Sequence, residues 1–135
     1  MLLLTLSLLA GNPRPTYWIP LKDTVWACSG ARRGVTYHLY RDGTFQQTFL
    51  EDDLRMGFRP FYGTWKFDNH YLTFYFTKHG SDDFPLHVYR YKIKAYRDQA
   101  IQVVQEHTNA QHKISYGREV ITFTRRPFCT LAPRP

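Results

Sequence analysis

The chain has little of what would make it a membrane-spanning, a helical or a catalytic protein. Its one apolar run, residues 1–10 (MLLLTLSLLA), covers ten residues, about half of the roughly 20 that a bilayer-crossing helix needs, so no permanent membrane helix is expected. No stretch between Thr24 and Arg126 repeats its apolar residues at a helical period, which removes crossover helices and leaves strands that pair with their sequence neighbours. There is no Gly-rich phosphate loop and no nucleophilic Ser flanked by Gly. His38, His70, His79, His87, His107 and His112 have neither the spacing of a structural zinc site nor that of a helix-borne pair, so no metal is expected. The acids Glu51, Asp52, Asp53, Asp82 and Asp83 lie in turn-like stretches and read as solvated turn residues rather than as a catalytic pair. The expectation is a non-enzyme that needs no cofactor.

What is present points to a β protein. The 135 residues, 43% of them hydrophobic, suit one domain large enough to bury a core without a metal. Ten Tyr and ten Phe skew the composition toward side chains that fit a pleated surface. The formal charge of +7 favours acidic partners, such as an acidic protein or an anionic envelope polymer, through attraction that salt weakens. The strand around Tyr89 to Lys94 alternates aromatics with cations, which puts the two on opposite faces and argues against a nucleic-acid surface.

The clearest local signal is the hairpin over residues 61–77. Trp65 and Phe67 share one face of its first strand, Leu72, Phe74 and Phe76 one face of the second, and Asp68-Asn69-His70 supplies turn chemistry. Arg41-Asp42-Gly43 marks a second tight turn between residues 35–40 and 44–49. Further strands are read at residues 24–28, 86–96, 100–106 and 119–124, with loops at 51–60, 78–85 and 107–118. Eight strands in a meander can close on themselves and remove exposed edges. The expected fold is therefore all-β, an eight-stranded antiparallel up-and-down barrel with an N-terminal apolar segment. Its inward set is Trp26, Tyr37, Leu39, Phe45, Phe49, Trp65, Phe67, Leu72, Phe74, Phe76, Tyr89, Tyr91, Ile93, Ile101, Val103, Ile121 and Phe123.

Trp26, then Asp42-Gly43-Thr44-Phe45, Gly63-Thr64-Trp65, Leu72-Thr73-Phe74 and Ile121-Thr122-Phe123-Thr124-Arg125 together resemble the small lipocalin-like domains of the calycin group. The chain departs from the true lipocalin pattern: no Gly stands two residues before Trp26, and the Thr-Asp-Tyr motif is missing. The resemblance implies a binding barrel that is not an enzyme, and an Arg at the end of the last strand, Arg125 or Arg126, stacked on Trp26. Trp26-Ala27-Cys28 with a distant second Cys also resembles the bacterial lysozyme inhibitors, whose Ser-Gly-x-Arg-Tyr signature is absent.

Two function classes follow. In the first, the barrel holds a small apolar or amphipathic ligand, an elongated molecule with a polar head. Its contacts are Tyr37, Trp65, Phe74, Tyr89 and Tyr91, the three tyrosines bringing hydroxyls that need partners when buried. In the second, the rim binds a protein or a cell-wall polymer in the manner of an inhibitor. Residues 1–15 read as a signal-like apolar segment and Pro-rich linker, residues 16–135 as the barrel domain, and the localisation expected is periplasmic or secreted. Cys28, at the end of the first strand, and Cys129, three residues past Arg126, are expected to form a disulfide, the alternative being two buried thiols.

Overall fold

A computed structural model describes residues 17–29, 34–49, 59–117 and 119–127, including the backbone but not the side chains of Ser29 and Phe49. Nine strands form: β1 Thr24–Ser29, β2 Val35–Leu39, β3 Thr44–Phe49, β4 Phe61–Phe67, β5 Tyr71–His79, β6 Asp82–Arg97, β7 Ala100–Thr108, β8 Ile114–Tyr116 and β9 Ile121–Arg126. β1 to β7 pair in sequence order, β7 pairs with β9, and β9 returns to β1. The result is the expected closed, eight-stranded antiparallel up-and-down barrel, with β8 attached to β7 outside the ring. No helix forms among the described residues.

The two ends of the barrel are built differently. At the base the connections are short, over residues 40–43, 68–70 and 98–99. Asp98 and Gln99 both take positive φ, 54° and 60°, the two-residue turn whose twist matches its flanking strands. Asn69 has φ 77°, and Asp68 Oδ1 accepts the N–H groups of His70 and Tyr71 at 2.9 and 2.8 Å. Gly43 has φ 88°, and Asp42 Oδ1 accepts the N–H of Thr44 at 3.0 Å. Ile19 and Leu21 bury against the core and close the base, while Trp18 is 84% exposed. At the opposite end, the mouth, connections run over residues 30–34, 50–60, 80–81 and 109–120.

Thirteen of the seventeen expected inward residues are buried. Trp65, Phe67 and Tyr89 pack half-buried against that core, and the Phe49 side chain lies outside the described residues. Gly63 is required by a close approach: a Cβ there would meet the Tyr75 carbonyl oxygen at 1.7 Å and the Phe45 ring at 2.9 Å. The β4–β5 register slips between Tyr62 and Gly63, so the missing side chain lets β4 bend inward under the Phe45 ring.

Several strand boundaries differ from the sequence reading. β5 and β6 continue through residues read as turn, leaving only Gly80 and Ser81 between them. The register breaks between Ile93 and Ala95, and Tyr96 packs against the core. β7 runs to Thr108, and β8 forms inside the stretch read as loop. The physical cause is that β7 outruns β9: their ladder covers Ala100 to Val103, and Glu106 to Thr108 find β8 instead.

Arg125 sits opposite Trp26 and Arg126 opposite Val25, but both side chains are exposed. The Trp26 indole is buried, and its Nε1 donates to Thr24 Oγ1 at 2.8 Å. The cation–π pairs among the described residues are on β5 instead, Arg90 with Tyr71 and Lys66 with Tyr75. Stacking of Arg125 or Arg126 on Trp26 is thus replaced by apolar closure of the base. Cys28 is buried opposite Phe123; Cys129 and residues 1–16 lie outside the described residues, as does the expected disulfide.

Candidate functional site

The lower interior is filled. Tyr37 stacks on Phe74 with ring centres 4.2 Å apart, Phe45 meets Phe74 and Phe76 edge to face at 5.0 and 4.9 Å, and Tyr91 meets Phe123 edge to face at 5.0 Å. Edge-to-face and offset pairs of this kind add to the area burial of the rings. The buried hydroxyls of Tyr37 and Tyr91 do not wait for a ligand. Gln47 Nε2 donates to Tyr37 Oη at 2.8 Å, and the two hydroxyls lie 3.4 Å apart. Gln47 is 1% exposed, and this one amide supplies the polar partner that a buried tyrosine layer requires.

Above that layer a cavity of about 210 Å³ opens at the mouth, lined by Gln47, Phe61, Phe76, Phe84, His87, Tyr89 and His107. Its walls are stacks. Tyr89 lies parallel to His107 at 4.2 Å, His107 to His87 at 5.3 Å, and Phe61 to His79 at 4.2 Å. His87 Nδ1 is 2.6 Å from the Pro85 carbonyl. A carbonyl only accepts, so Nδ1 donates to it and Nε2 is the ring nitrogen left to meet a ligand. The cavity is smaller than the about 300–1,000 Å³ typical of drug-sized sites, and the filled layer below stops it from extending along the axis.

Of the five expected ligand contacts, only Tyr89 lines this cavity. Tyr37, Phe74 and Tyr91 form its packed floor. Trp65 faces a different space, and its Nε1 donates to the Tyr40 carbonyl at 3.1 Å. The lining residues beyond the expected contacts had uneven signals. Gln47 shares the parity of Phe45, so its inward position was readable. Phe84 and His107 stood in stretches read as turn and loop.

A second, larger space of about 720 Å³ is a groove on the outside, running up from the base across β4 to β7. Its floor is a cross-strand rung, Lys66 to Thr73 to Arg90 to Glu106. β4 continues past Thr44, the last residue of β3 to pair with it, bringing Trp65 and Phe67 to the groove's lower end. Among the described residues, no group of His, Cys, Asp and Glu has metal-holding geometry.

Comparison with protein-family models, with curated proteins and with solved structures gives no match for this chain. The functional reading therefore rests on the geometry of the barrel itself.

Proposed function

We propose that the protein is a non-enzymatic, lipocalin-like binding barrel that holds the flat apolar part of a small amphipathic ligand in its mouth. The observation that carries this reading is the cavity of about 210 Å³ walled by Phe61, Phe76, Phe84 and Tyr89, with Gln47 and His87 placed to meet a polar group. Parallel imidazole and phenol rings give a planar ligand faces to stack on, and His87 Nε2 orients its polar group. An elongated tail has no room beneath, so the ligand is ring-sized rather than chain-like.

The same reading assigns the chain to an oxidising compartment, with residues 1–10 as an export segment and a Cys28–Cys129 disulfide. Thiol titration of the denatured, unreduced protein then finds no reactive group; two reactive groups contradict the bridge and the export argument built on it.

A second reading, binding of an acidic protein through the rim, is favoured by one observation. Leu86, Ile114, Tyr116 and Val120 are 46–69% exposed around the mouth end, an apolar set on a chain of formal charge +7.

The test is fluorescence titration with 2-naphthol as the ring-sized probe and cis-parinarate as the chain-like one. Naphthol is expected to bind one to one and to lose at least about tenfold in affinity in His87→Trp, which fills the cavity. Parinarate binding with naphthol excluded, or naphthol binding indifferent to His87→Trp, contradicts the proposal.

A further inference from the structure

We propose that the outer groove is a second binding site, independent of the mouth, and that it takes a neutral oligosaccharide. Its volume, about 720 Å³, falls within the range of small-molecule sites. The lining is chemically mixed. Lys22, Arg41, Lys66 and Arg90 stand against Asp42, Asp68 and Glu106, with Trp65, Phe67, Tyr71 and Tyr75 supplying apolar surface. A sugar hydroxyl both donates and accepts, so a polyol is matched by a wall that alternates cations with carboxylates.

The rung Lys66–Thr73–Arg90–Glu106 presents ammonium, hydroxyl, guanidinium and carboxylate in one line, spaced by the strand separation of about 4.8 Å. The Arg90–Glu106 pair of this rung is held in place before any ligand arrives. Arg90 lies 4.2 Å over the Tyr71 ring, with its Nη2 3.2 Å from Glu106 Oε2, and Lys66 Nζ is 5.7 Å from the Tyr75 ring centre. Only one of the five N–H donors of Arg90 is used among the described residues. Fixing such side chains in advance lowers the entropy lost on binding.

A phosphate-bearing ligand fits less well. Arg41 is paired with Asp23 at 3.0 Å and Arg90 with Glu106, which leaves Lys22 and Lys66 as the cations without a carboxylate partner among the described residues. Burial pushes the Asp68 carboxyl up, but the N–H groups of His70 and Tyr71, with the charges of His70 and Arg90, outweigh it and hold the pKa below the ordinary value. Asp68 is therefore anionic at neutral pH and repels an oxyanion at the lower end of the groove. A nucleic-acid strand would need a groove of one sign along its length.

The experiment uses the full chain and isothermal titration at about 0.15 M and about 0.5 M salt. The probes are trisaccharides of glucose, N-acetylglucosamine, mannose and galactose, with adenosine diphosphate and inorganic phosphate as oxyanion controls. At least one trisaccharide is expected to bind with Kd below about 1 mM, unchanged between the two salts because the ligand is uncharged. Lys66→Met and Glu106→Gln are each expected to weaken it about tenfold with the thermal midpoint of unfolding unmoved. Backbone amide shift mapping on the unsubstituted protein provides a readout that needs no variant, with changes expected at Lys66, Thr73, Arg90 and Glu106. No trisaccharide binding below about 10 mM, binding by the oxyanions alone, or shifts confined to other residues overturns the proposal.

Discussion

The base and the mouth of this barrel use the same kinds of side chain to opposite ends. At the base, short turns hold strand ends together, Ile19 and Leu21 seal the opening, and Trp26, Tyr37, Phe74, Tyr91 and Phe123 pack at 0–1% exposure. At the mouth, Phe61, Phe84 and Tyr89 are only half-buried, and their rings lie against imidazoles around an open cavity. Aromatic richness alone therefore does not decide whether a barrel is plugged or open.

The largest effect that tests this contrast comes from matched truncations. Phe74→Ala at the packed floor is expected to cost about 3–5 kcal/mol, and Phe84→Ala at the mouth about 1 kcal/mol, read from urea unfolding midpoints. Equal losses would erase the distinction between the two ends. Gly63→Ala, on the inner face between them, is expected to cost at least about 3 kcal/mol because the added methyl meets backbone rather than a movable side chain. Unfolding near the midpoint of the unsubstituted protein would show that β4 need not bend there.

Gln47→Leu tests the polar joint between floor and cavity. It leaves the Tyr37–Tyr91 hydroxyl pair without its amide donor and is expected to cost about 1–3 kcal/mol. It is also expected to lower the affinity for 2-naphthol, because Gln47 lines the cavity. A stability loss with unchanged naphthol binding would separate the floor from the site.

The smallest effect is a pH dependence set on the barrel wall near the base. His38 is buried on β2, and burial holds its pKa below the ordinary value of 6.5. Between 6.5 and that lower folded value, the unfolded chain binds a proton that the fold does not. Its contribution is thus whole above 6.5 and is lost as pH falls through the window. His38→Gln is expected to flatten the stability profile below pH 6.5 and to leave it unchanged above; an equal slope in both proteins contradicts this.

Much of the barrel was legible because its signals are local. Asp42-Gly43 and Asp68-Asn69 carry their turns in their own chemistry, and the alternation in β2, β5 and β9 marks the inner face residue by residue. β8 was not legible: Ile114 and Tyr116 are exposed, and the strand exists only because β7 extends beyond β9. The slip around Lys94, which seats Tyr96 on the core, likewise depends on a neighbouring strand. For the site, sequence parity located Tyr89 but could not separate floor from cavity, since Tyr37, Tyr89 and Tyr91 all alternate inward. The outer groove had a signal in Tyr71 and Tyr75, which put aromatics on both faces of β5.

The central claim, a filled floor beneath a ring-sized mouth site, is tested most directly by aromatic NMR shift mapping during titration with 2-naphthol. The account predicts changes at Phe61, Phe84, His87, Tyr89 and His107, with Trp26 and Phe123 unmoved. Changes centred on Trp26 and Phe123, or none at the mouth residues, would contradict it.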